Sequence, residues 1–194
     1  MWVIEHTLQF MAENRAKMPA HRFAINLSPT SVCQARFPVE VSQLLAKYQI
    51  EAWQLIFEVT ESNALTNVKQ AQITLQHLQE LGCQIAIDDF GTGYSNLHNL
   101  YSLNVDILKI DKSFIDTLTT NSTSHLIAEH IIEMAQSLRL KTIAEGVETA
   151  DQVSWLLKRG VQYCQGWHFA KALPPQEFIH WLQQPPALLM QRGQ

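Results

Sequence analysis

Short apolar segments in this chain run, one after another, into residues of the kind that hold cations and phosphates. They are Phe23 to Asn26, Leu55 to Glu58, Ile85 to Asp89, Ile107 to Asp111, Thr142 to Glu145 and Tyr163 to Gln165. Most precede a stretch with helical character, so the chain reads as repeated strand-helix units. Such units build a parallel sheet with right-handed crossovers, and parallel strands bring their C-terminal ends to one rim. That rim is where α/β proteins place their chemistry. Five of the segments end among acids, Lys or Gln and the sixth ends in Asn, a pattern that points to a metal-dependent enzyme.

The composition agrees with a folded domain. With 194 residues, 46% of them apolar and 16% charged, the chain can bury one sizeable core. A net charge of -4 gives no basic footprint for duplex nucleic acid, so DNA is not an expected partner. A nucleotide ligand would have to be held by specific groups or by metal ions. Cys33, Cys83 and Cys164 are odd in number, far apart and without CxxC spacing. They read as reduced core thiols of a cytoplasmic protein rather than a disulfide framework or zinc knuckle. No apolar run approaches a membrane span and the first residues lack a signal-peptide profile, which leaves room for an anchor upstream on a longer parent protein.

Helical spacing predicts a first helix over Trp2 to Lys17, stopped by Pro19, and a second over Val39 to Tyr48 with Pro38 near its start. Val68 to Leu81 is expected to bury Ile73, Leu75, Leu78 and Leu81 and to end at Gly82. Further helices are expected near Ser95 to Leu100 and over Ser124 to Leu138, Ala150 to Arg159 and Pro175 to Leu182, with residues 185–194 a loose tail after a domain of residues 1–184. Six units in this length average about 32 residues each, against eight units in the ~250 residues of a complete (β/α)8 barrel. The chain also opens on a helix, whereas barrel strands precede their helices. Either an open doubly wound sheet or a barrel incomplete at its N-terminus fits these facts.

Asp88-Asp89-Phe90-Gly91-Thr92-Gly93-Tyr94-Ser95 sets two adjacent carboxylates at a strand end before a glycine-containing loop. Adjacent acids at a rim can bridge or divide between two divalent ions, as in two-metal phosphoesterases; taken alone the pair is better read as a solvated turn, and the other strand ends change that balance. Asp89-Phe90-Gly91 also spells a kinase metal motif, but no glycine-rich phosphate loop or His-Arg-Asp loop accompanies it. Asn96 stands where a dinucleotide fingerprint needs its third glycine. Glu58-Val59-Thr60-Glu61 offers a strand-end acid and a second acid that could brace a loop or begin a helix. Asn26 supplies a neutral oxygen suited to a hard cation or to a turn. Lys109 and Asp111, two residues apart, would share a strand face, either orienting water and phosphate or forming a buried ion pair. Glu145-Gly146-Val147-Glu148 and Gln165-Gly166 add further rim groups. The eight histidines are scattered without metal-ligand spacing, and His168 reads as a rim or packing residue.

In this order, from Asn26-Leu27-Ser28 to Gln165-Gly166, the motifs resemble those of the EAL domain, the cyclic-di-GMP-specific phosphodiesterase family of bacterial signalling. The resemblance runs from Trp2 to about Leu182. It implies an α/β fold, a TIM-like barrel with about six of its eight strands in this chain, and magnesium or manganese at the strand ends. By the family pattern Asn26, Glu58 and Asp88 hold one metal, Asp88 is shared, and Asp89 and Glu145 serve the second. Lys109 positions the attacking water, Glu61 braces the Asp-Phe-Gly loop, Gln165 lines the site, and Asp111 and Glu148 support the residues that touch the metals. The reaction implied is in-line hydrolysis of one phosphodiester of cyclic di-GMP, giving a linear dinucleotide.

Two departures stand beside the matches. The Glu-Ala-Leu tripeptide that names the family, whose Glu is a metal ligand, does not occur here, nor do the two strands expected before the first helix. Gln165-Gly166 is followed by Trp167-His168-Phe169 where Tyr-Leu-Phe is commoner. The first departure suggests a cloned fragment or a degenerate gene and implies impaired turnover. It gives weight to two alternatives, a receptor module that binds cyclic di-GMP without cutting it and an interaction fragment pairing through an open barrel edge. By analogy with the family, Tyr94 to Tyr101 is a candidate homodimer surface, and an upstream sensor or GGDEF domain is expected in the parent protein.

Overall fold

Leu55–Thr60 (β2) is buried along all but its last residue and Ile107–Ile110 (β4) along its whole length, as expected of parallel strands covered on both faces. They belong to a six-stranded sheet with Phe23–Asn26 (β1), Gln84–Phe90 (β3), Lys141–Ala144 (β5) and Tyr163–Cys164 (β6). The computed structural model describes residues 1–60, 68–91, 100, 102–118 and 122–184. Neighbouring strands are parallel and their spatial order is their sequence order, β1 to β6. A doubly wound sheet reverses its order at a switch point; this one never does. Right-handed crossovers in one direction put the longer connecting helices on the same face, so the sheet curls as part of a TIM-like barrel.

The two faces are accordingly unequal. On the convex side the helices Trp2–Glu13 (α1), Phe37–Tyr48 (α3), Val68–Glu80 (α4), Ser122–Ser137 (α6) and Ala150–Lys158 (α7) cover one large cluster that includes Leu8, Phe37, Phe57, Leu75, Ile85, Leu108 and Leu156. Among the described residues the apolar cluster on the concave side is small, Ile56, Ala86 and Ile107 with Ile143 against them. Inward positions on the outer strands stay open, Ala24 on β1 and Tyr163 on β6 being exposed. The last helix, Pro175–Gln183 (α8), reaches across to the first strand, where Phe178 meets Phe10 and Phe23.

Local structure departs from the sequence expectations where polar side chains compete with backbone. The first helix ends at Glu13 because Asn14 turns its amide back onto the Phe10 carbonyl, and a 3-10 turn comes next at Arg15–Lys17. On α4 the buried positions are Ala71, Thr74, Leu75 and Leu78, whereas Ile73 and Leu81 are exposed. Steps of three and four from Ala71 define that face, and Ile73 falls on the other side of it. Two short helices have too few residues to show periodicity: Pro29–Val32 (α2), capped by Ser28, and Lys112–Asp116 (α5), capped by Asp111. Both begin immediately beyond strand ends and so form part of the rim. The predicted helix near Ser95 to Leu100, the tail and Glu61 lie outside the described residues, apart from Leu100 itself. Cys83 is buried and Cys33 and Cys164 half-buried, all with free thiols. Burial pushes the Cys83 thiol up to about 12 and the Cys164 thiol up to about 11, which leaves both protonated and unreactive.

Candidate metal centre at the strand ends

Simple alternation along β3 would aim Asp88 into the barrel and Asp89 away from it. The strand avoids this. Its pairing with β4 shifts register between Ile87 and Phe90, and Asp89 adopts a left-handed backbone with φ 54°. An extra residue in a strand re-aims the side chains around it, and Asp tolerates the left-handed region better than most residues. As a result carboxylate oxygens of Asp88, Asp89 and Glu145 come within 4.8 Å of one another. The Asp89 amide donates to Asp88 Oδ1 at 3.1 Å, which holds the two acids in this arrangement.

Lys109 projects from β4 into the middle of the acids. Its Nζ lies 2.7 Å from Glu145, 2.8 Å from Glu58 and 2.9 Å from Asp88, with the side chain 3% exposed. Burial would push this ammonium toward its neutral form. Hydrogen bonds to Glu145 and Glu58 outweigh that cost, its pKa is raised, and it stays charged. Four carboxylates around one ammonium leave the rim strongly negative. Burial, then the charges of Asp88 and Asp111, raise the Asp89 carboxyl, and burial also raises Glu145 despite its contact with Lys109. Closely spaced oxygens with surplus negative charge fit a hard divalent cation, whereas the absence of Cys or His among the clustered ligands disfavours a zinc-type site.

These shifts make cation binding sensitive to pH. Cations bind the deprotonated carboxylates, so protons compete with them. Because Asp89 and Glu145 titrate above the ordinary carboxylate range, manganese affinity is expected to fall on acidification at a higher pH than isolated acids would require. Calorimetric titrations from neutral to mildly acidic buffer test this, and an affinity that ignores pH would contradict it.

The geometry agrees with the relationships of the whole sequence. A family model described as the EAL domain matches residues 1–172. The chain belongs to the EAL family. Cyclic di-GMP phosphodiesterase PdeF of Escherichia coli (strain K12) is 69% identical over 174 residues, covering 90% of this chain and 23% of that protein. The chain thus spans about a quarter of the length of this curated relative. Among solved structures, the EAL domain of Mycobacterium smegmatis DcpA superposes with a TM-score of 0.89 at 33% identity, over 95% of this chain and 83% of that one. PaMucR phosphodiesterase in complex with c-di-GMP gives a TM-score of 0.83 at 34% identity, over 91% and 72% of the respective chains.

Within this EAL domain the other residues singled out in the sequence take distinct places. Asn26 is in register with Glu58 and exposed on the open side of the sheet. Gln165 comes directly after β6, exposed, with its backbone bonded to Ala144 and Val147. Asp111 does not continue the strand with Lys109. The strand stops at Ile110, and Asp111 caps α5 by accepting from the Ser113 amide at 2.9 Å, while its charge acts on Asp89. Glu148 pairs with Lys112 at 2.7 Å. His168 packs edge-on against Phe169. Sequence reasoning passes over Lys112, whose signal is the glycine facing it: Gly146 has φ 65°, and a Cβ there would collide with the Lys112 side chain. No helix among the described residues is long and apolar enough to cross a membrane.

Proposed function

We propose that this EAL domain is a phosphodiesterase that hydrolyses cyclic di-GMP to a linear dinucleotide with magnesium or manganese bound at the strand ends. The observation that carries the reading is the gathering of Glu58, Asp88, Asp89 and Glu145 around Lys109. Asp88, Asp89 and Glu145, with Glu58 and Asn26 beside them, would hold the cations. Bound there, such cations offset phosphate charge and make water acidic enough to act near neutral pH. Lys109 holds three of the carboxylates and is placed to orient the attacking water or to meet charge developing on phosphate oxygens. Asp111 and Glu148 act through the elements they brace, and Gln165 lines the same rim. Glu61 is assigned to bracing the Asp-Phe-Gly loop. The relatives PdeF and PaMucR, named for this activity and this ligand, support the choice of substrate.

A receptor module that binds cyclic di-GMP without cutting it is the second reading. The parent protein is proposed to be cytoplasmic at this domain, to carry a sensor or GGDEF domain upstream, and to form homodimers through the segment after the Asp-Phe-Gly loop. Incubation with cyclic di-GMP and manganese, with and without chelator, and chromatography of the nucleotides separate these readings. Linear dinucleotide formed only without chelator is the expected result. Intact nucleotide that nevertheless binds would establish the receptor, and neither binding nor turnover would sink both.

A further inference from the structure

Glu145 sits on a short stretch of chain between β5 and α7 that is fastened almost residue by residue. The Glu145 amide donates to the Ile110 carbonyl at 3.1 Å and the Val147 amide to the Gln165 carbonyl at 3.0 Å, with Val147 itself fully buried. Gly146 between them is packed against the Lys112 side chain. The next two amides, of Glu148 and Thr149, both donate to one side-chain atom, Gln152 Oε1, at 2.8 Å and 2.9 Å. Gln152 is 5% exposed. Its bond to the Thr149 amide, with the Gln152 amide donating to Thr149 Oγ1 at 3.2 Å, closes a capping box at the start of α7. A capping box asks no more than this, and Glu serves in it as well as Gln. Here the other end of the side chain reaches away from its own helix, Nε2 donating to the Ile115 carbonyl of α5 at 2.9 Å. An ionised carboxylate could not make that bond. The helix it reaches is the one that Asp111 caps, and the Asp111 charge acts on Asp89.

We propose that Gln152 is a positioning residue for the metal centre: it locks the loop that carries Glu145 to α5, so that the carboxylates of Asp88, Asp89 and Glu145 stand at cation-binding spacing before a cation arrives. This rests on the reading of those acids as the metal centre and adds a residue that fixes their spacing. Like charges repel, and carboxylate oxygens within 4.8 Å of one another stay together only where the backbone beneath them cannot yield. Lys109 offsets part of the repulsion at Asp88 and Glu145; the rest is borne by the loop. A buried amide with both of its ends bonded is a stiff link between two elements. Without it the cation itself must gather Glu145 to the other acids, and a site that is ordered only on binding binds more weakly.

The test is manganese calorimetry, with thermal denaturation in chelator beside it, on the wild-type chain, Gln152→Met, Gln152→Ala and Thr149→Val. Thr149→Val removes the hydroxyl from the same capping box but leaves Gln152 Nε2 on Ile115, so it reports the loss of the helix cap alone. Both Gln152 variants are expected to bind manganese roughly ten- to hundredfold more weakly, the range found for residues that orient metal ligands. Thr149→Val is expected to melt at a lower temperature and to keep wild-type affinity. Wild-type manganese affinity in a folded Gln152 variant would overturn the positioning role alone. An equal loss of affinity in Thr149→Val would trace the effect to the cap and overturn it too. If neither Gln152 variant folds, the residue is a pillar of the whole fold and the proposal fails. Failure of the wild-type chain to bind manganese would overturn the reading of the metal centre together with it.

Discussion

Replacing Lys109 by Met is expected to lower the stability of the metal-free domain by about 3–5 kcal/mol, the usual cost of removing one partner from a buried ion cluster. For a domain of this size that is a fall in Tm of roughly 10 °C. The ammonium is 3% exposed and touches Glu58, Asp88 and Glu145, so its loss leaves three poorly solvated carboxylates facing one another. Burial already raises the Glu145 carboxyl and Lys109 is what offsets it, so without the ammonium stability is retained at low pH and lost as pH rises through the raised range of that group. Manganese supplies the missing positive charge and restores much of the Tm. Thermal denaturation across pH, with and without manganese, checks both effects; a variant as stable as wild type in chelator would contradict the central place given to Lys109.

Asp88→Asn is expected to act the other way, sparing the fold and abolishing turnover. Asn keeps the size of the side chain and an oxygen able to accept from Lys109 and from the Asp89 amide, now 2.9 Å and 3.1 Å from the carboxylate. It also relieves repulsion in a rim rich in acid. Tm should therefore move by only a few degrees, about the effect of 1 kcal/mol. The variant loses the charge that Asp88 brings to the cation site, and a fall in kcat on the order of 10³ corresponds to the several kcal/mol that metal activation contributes. Unchanged kcat would remove Asp88 from that role.

Much of this is legible in the sequence because strands are announced by apolar runs and the rim by the polar residues at their ends. Glu58, Asp88, Lys109 and Glu145 each sit within or next to such a run, so their convergence can be expected from parallel topology alone. Asp89 cannot be placed that way, since alternation sends it outward and only the register shift and its left-handed backbone return it to the rim. Asp111 is misplaced on the strand by the same reasoning, because nothing in the residue order shows that the chain turns into a five-residue helix just there. The expected face of α4 is half right: Leu75 and Leu78 are buried, but apolar Ile73 and Leu81 are left in solvent and polar Thr74 is enclosed. The open concave side is foreseeable from length, whereas the contact of Phe178 with Phe10 and Phe23 depends on residues far apart in sequence.

The most direct measurement is electron paramagnetic resonance of manganese titrated into the wild-type chain and Asp88→Asn. Hydrated manganese gives a sharp signal that disappears on binding. Loss of that signal in wild type at protein-stoichiometric manganese, and its persistence in Asp88→Asn, is the predicted result. Equal free-manganese signals in the two proteins would contradict the assignment of the acidic rim as the metal centre.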